Sequence, residues 1–123
     1  MSEKQPKWRL QRDFKRGKFC FLIGVDNWSI ELQKSEFDSL YLVLLSINKQ
    51  LLAIKNELMD EESVVLELEN LPWYIQLEGE KNEWSLRFVF ESQDQTRSFE
   101  MYWPIPIAQN LSYEIKKMWE SMD

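Results

Sequence analysis

Carboxylates are the residues best placed to do chemistry in this chain, and Glu57, Asp60, Glu61 and Glu62 are the tightest group of them. Glu57 and Glu61 would share a face if the helix ran on that far, and oxygen ligands suit magnesium or calcium. The run has neither the glycine nor the spaced Asp and Asn ligands of a calcium loop, so it reads as a solvated helix end, and no metal or cofactor is expected. The chain contains no histidine, which excludes a Ser-His-Asp triad, a Cys-His pair and an imidazole-based zinc site. Its only glycines, Gly17, Gly24 and Gly79, form no phosphate-cradling loop. The lone Cys20 lies in the apolar run Phe19-Cys20-Phe21-Leu22-Ile23, where it reads as a small buried hydrophobe. These residues point away from an enzyme and toward a binding module.

Charge provides the next candidates. Residues 1–18 carry Lys4, Lys7, Arg9, Arg12, Lys15, Arg16 and Lys18 against Glu3 and Asp13, a local charge of +5 within a total of −6. Lys7, Arg9, Arg12, Lys15, Arg16 and Lys18 could therefore line a polyanion-binding edge, although the acidic remainder of the chain would repel a long nucleic acid. Six tryptophans supply possible stacking surfaces. Trp8, Trp28 and Trp84 alternate with other apolar residues and read as core. Trp73 and Tyr74 are adjacent on a strand, so one of the two should face outward as a contact residue.

The elements that position these groups follow from periodicity. Trp8 to Phe14, Lys18 to Val25 and Trp28 to Leu32 read as three strands of a meander, with punctuation at Gly24 to Asn27. Ser35 and Asp38 resemble a capping box opening a helix that runs to Met59, about 36 Å at 1.5 Å per residue. Strands follow at 64–69, 73–77, 84–90 and 97–103, and Pro104 and Pro106 precede a last helix carrying Ile107, Leu111, Ile115 and Met118. The expected class is α+β, a tandem βββα/ββββα chain with two curved antiparallel sheets and two packed helices. One domain spans 1–123, with related halves at 7–59 and 63–122. An offset of 65 supports the duplication, matching Trp8 with Trp73, Leu10 with Ile75, Phe21 with Leu86 and Ile23 with Phe88.

On the long helix the apolar arc is about 200° wide, against about 100° for an ordinary amphipathic helix. Leu45, Leu52 and Met59 recur every seven residues and form a second stripe. Either the last helix or a second subunit or partner protein should cover it. The charge-free stretch of the long helix, between Asp38 and Lys49, falls well short of the roughly 20 apolar residues of a span, so no membrane is expected and the setting reads as cytoplasmic.

The segments Asp26-Asn27-Trp28-Ser29-Ile30-Glu31-Leu32, Glu57-Leu58-Met59-Asp60-Glu61-Glu62, and Leu71-Pro72-Trp73 with Glu78-Gly79 resemble a family of small uncharacterised cyanobacterial proteins. Its members look like single-chain tandem versions of the strands-then-helix unit of the single-stranded-DNA-binding Whirly proteins and of a transcriptional coactivator. The resemblance implies the fold and supplies no catalytic residue. Of the Whirly Lys-Gly-Lys-Ala-Ala signature, Arg16-Gly17-Lys18-Phe19-Cys20 keeps only Gly17 and Lys18. The first functional expectation is thus a protein-binding or self-associating module, with single-stranded nucleic acid, or a transcription-related role, as the alternative.

Overall fold

A computed structural model describes residues 7–122; Lys4 and the polar segment around it lie outside the described residues. The order is β1 (Trp8–Arg12), β2 (Phe21–Val25), β3 (Trp28–Leu32), α1 (Lys34–Ile54), β4 (Val64–Asn70), β5 (Trp73–Glu80), β6 (Glu83–Glu91), β7 (Ser98–Trp103) and α2 (Ile107–Glu120). The first three strands form one antiparallel meander and the last four another. The protein is therefore an α+β chain of two antiparallel sheets and two helices, in the βββα/ββββα order. The offset of 65 carries β1 onto β5 and β2 onto β6, but it carries β3 onto the Ser92–Arg97 loop.

Strand alternation builds the core directly. Phe21, Ile23 and Val25 of β2 are buried, and so are Trp73, Ile75 and Leu77 of β5 and Trp84, Leu86, Phe88 and Phe90 of β6. From α1, Phe37, Leu40, Val43, Leu44, Ile47 and Leu51 complete a single hydrophobic cluster shared by both sheets. By length and composition the segment Lys34–Glu57 would also satisfy a membrane span; in this fold one face of it is buried in the core and the other, with Leu42 and Leu52, is exposed. Phe21 and Phe37 stack across the junction with ring centroids 4.1 Å apart.

Several boundaries differ from the sequence reading. β1 stops at Arg12, because Asp13 caps a single 3-10 turn at Phe14–Arg16 by accepting from Lys15 N at 3.0 Å. Phe14 consequently leaves the strand face and is exposed. The β2–β3 turn is Asp26-Asn27, and Gly24 belongs to the strand. Gly24 is small for a reason: the Arg9 guanidinium lies across it, where a β-carbon would collide. α1 starts at Lys34, ahead of Ser35, and its opening is closed by Glu36, which accepts from Gln33 N at 2.8 Å. Asp38 instead pairs with Lys34.

The helix also ends early, at Ile54, so Met59 lies outside it. A 3-10 turn at Lys55–Glu57 passes into extended backbone at Leu58, which packs on the core. Lys81, from the β5–β6 hairpin, fixes this ending by donating to Leu58 O at 3.0 Å and pairing with Asp60 at 2.9 Å.

The β6–β7 loop is held by Asp94, which accepts from Ser92 Oγ, Thr96 Oγ1 and Thr96 N. These bonds, the Thr96 hydroxyl foremost, lower the Asp94 carboxyl from 3.8 to about 2. A carboxyl depressed by folding adds stability that is complete above its ordinary value and lost as pH falls toward the folded one. Asp94→Asn should therefore show a shallower fall in melting temperature than the native protein between pH 4 and pH 2. Parallel curves for the two proteins would contradict this.

Candidate functional site

α1 and α2 lie side by side, and a groove of about 300 Å³ runs between them. One wall is Tyr41, Leu44, Leu45 and Asn48 of α1. The other is Gln109, Ser112, Tyr113 and Lys116 of α2, and Trp84 of β6 also lines it. Tyr41 stacks on Trp119 with centroids 4.3 Å apart and planes within 7°, which fixes the helix spacing. Asn48 donates to Leu44 O and Gln109 donates to Asn82 O, so both amides are anchored. The Ser112 hydroxyl oxygen is buried and has no hydrogen-bond partner among the described residues. Mostly apolar walls with a few fixed polar groups are the usual makeup of a binding cleft.

The second stripe of α1 divides at this groove. Leu45 is half-buried and lines it, while Leu52 remains 70% exposed. Met59 is 77% exposed but off the helix, so the seven-residue series stops after two members. α2 therefore covers the Tyr41–Leu44–Leu45 side of α1 and leaves Leu42 and Leu52 facing solvent. Tyr113, also exposed, stands on the α2 rim.

Trp73 is not an outward aromatic. It is fully buried, donates from Nε1 to Glu36 O at 3.1 Å, and packs on Phe88, Phe90 and Phe99. Tyr74, its neighbour, occupies the opposite sheet face and is half-buried. Burial, then the adjacent Glu67 carboxylate, raises the Tyr74 phenol above its ordinary value.

The six basic candidates separate into two groups. Arg9 donates to Asp26 O at 2.8 Å and to Trp28 O at 2.7 Å, so it seals the β2–β3 turn. Arg16 pairs with Glu31. Lys7, Arg12, Lys15 and Lys18 are exposed, with Arg12 over the Phe14 ring and Lys18 over the Phe19 ring. Five of the six are thus exposed, Arg9 alone being half-buried, and Arg9 and Arg16 have structural partners. In the acidic run, Asp60 pairs with Lys81 and Glu62 accepts from Met59 N. Among the described residues, no three His, Cys, Asp or Glu side chains converge.

Sequence reasoning missed Arg97. Its guanidinium meets Glu36 at 2.7 Å, donates to Glu31 O at 2.7 Å, and lies over the rings of Phe19 and Phe90. It joins the β6–β7 loop to the start of α1. The partners are 61 and 66 residues away in sequence, so no local pattern announces them.

A two-sheet, two-helix chain with an interhelical groove is the class that these features define. The family model for a domain of unknown function, DUF1818, matches residues 3–118, and the chain belongs to that family. The chain is similar to a crystal structure of a protein of unknown function from the DUF155 family of Prochlorococcus sp. NATL2A, with 36% identity and a TM-score of 0.85. That match covers 95% of this chain and 97% of the other. No curated protein matches the sequence.

Proposed function

We propose that this protein is a non-enzymatic binding module that docks a partner protein over the α1–α2 groove. The observation that carries this reading is an apolar cleft, floored by core residues, with exposed Leu52 and Tyr113 on the two helices beside it. A partner's apolar side chain seated against these walls would be removed from water, which is the source of binding energy such a cleft offers. Docking onto a helix pair in this way uses contacts at helical spacing on both sides.

The nucleic-acid reading draws on Lys7, Arg12, Lys15 and Lys18 and on the Whirly-like resemblance, but Arg9 and Arg16 are committed elsewhere. One experiment weighs the two. Leu52→Glu and Tyr113→Glu, both at exposed positions, should change stability by less than about 0.5 kcal/mol. Each should nevertheless abolish retention of a specific protein from nuclease-treated lysate, while Lys15→Glu with Lys18→Glu should retain it. Sedimentation of the purified protein tests whether the occupant is a second copy. Retention lost only in the lysine variant, or only after nuclease, would instead support the polyanion edge.

A further inference from the structure

The outward face of the four-stranded sheet is uncovered, and its residues are ordered in cross-strand rows. One row runs Glu69, Tyr74, Val89, Glu100, and the next runs Glu67, Gln76, Arg87, Tyr102. Val89 and Tyr102 are exposed, Tyr74 is half-buried, and carboxylates flank them on both edge strands. Arg87 is the only cation among the outward residues of these strands. Charge alone would describe an ordinary solvated face. The apolar and aromatic centre does not fit that description, because tyrosines ringed by like charge are the makeup of a contact surface.

The face also contains an example of what it can hold. The Arg87 guanidinium lies over the Tyr102 ring at 5.6 Å, in the row that also carries Glu67. Tyr74 offers a second ring with Glu69 directly across the strand pair and Glu67 diagonal to it. No cation occupies that ring among the described residues. We propose that this sheet face docks an arginine-bearing basic segment of a partner protein, with one guanidinium stacked on Tyr74 and bonded to Glu67 and Glu69. Arginine suits the position better than lysine because its planar group both stacks and bridges carboxylates. This surface is separate from the interhelical groove and does not depend on it.

The probe is a fluorescein-labelled octapeptide alternating Arg and Gly, which puts its guanidiniums on one side of an extended chain. Anisotropy at low salt should show binding that weakens with added salt, and the Lys counterpart should bind more weakly by about threefold or more. Glu67→Gln with Glu69→Gln should weaken the Arg peptide by about tenfold, as should Tyr74→Ala. Tyr74→Phe should preserve binding, since the ring remains. Glu61→Gln with Glu62→Gln removes the same charge outside the sheet and should change affinity by less than about twofold. The proposal is overturned by no binding at low salt, by equal affinity for the Lys peptide, or by equal weakening in the two glutamine pairs.

Discussion

Trp73→Ala should lower the free energy of unfolding by about 4 kcal/mol, the largest effect of any single aromatic truncation argued from this structure. Trp73 is fully buried and touches three phenylalanines of β6 and β7 while its indole N–H binds the α1 backbone. Truncation removes the ring from the middle of the core and deletes its side-chain hydrogen bond to Glu36 O. Trp73→Phe, which fills much of the volume and loses the hydrogen bond, should cost about 1–2 kcal/mol. Urea unfolding with an unchanged m value would measure both. A loss below about 1 kcal/mol for the alanine variant would place Trp73 outside the core, contrary to the packing described here.

Arg97→Met should cost about 3 kcal/mol. Glu36 is buried, and without the guanidinium its carboxylate loses the cation that offsets its desolvation. Because Arg97 retains some solvent exposure, the lower end of the range for breaking a buried pair applies. Replacing both partners, as Glu36→Gln with Arg97→Met, should recover about half of the loss, since no unpaired charge is left behind. If the double variant is less stable than the single one by the full cost of a second, independent defect, the ion pair is not what joins the β6–β7 loop to α1.

Alternation made the two meanders legible in the sequence, because each strand has one buried face: Trp84, Leu86, Phe88 and Phe90 point inward together as their spacing requires. The long helix was legible for the same reason, through Phe37, Leu40, Leu44, Ile47 and Leu51. Its ends were not. Glu36 and Lys81 set them through contacts with Gln33 and with Leu58 O, and the second of these crosses 23 residues. Trp73 and Tyr74 showed the limit of period-two reasoning: it states that one faces in, and only the position of the core decides which.

For the candidate site, the stripe of Leu45 and Leu52 was visible in the helical wheel, whereas the groove needed α2 to be placed. Ser112 and Trp84 line the groove from elements far apart in sequence, so neither stood out. The basic edge looked uniform in the sequence because charge patterning does not reveal that Arg9 spans Gly24 to reach two carbonyl oxygens.

Docking across the α1–α2 groove is tested most directly by placing a photoreactive phenylalanine at Leu45 or at Tyr113 and irradiating in cell extract. Ser29, exposed on the outer face of the three-stranded sheet, serves as the control position. The groove account predicts the same discrete protein adduct from Leu45 and Tyr113, lost on adding Leu52→Glu, and none from Ser29. No adduct from the two groove positions, or the same adduct at equal yield from Ser29, would contradict it.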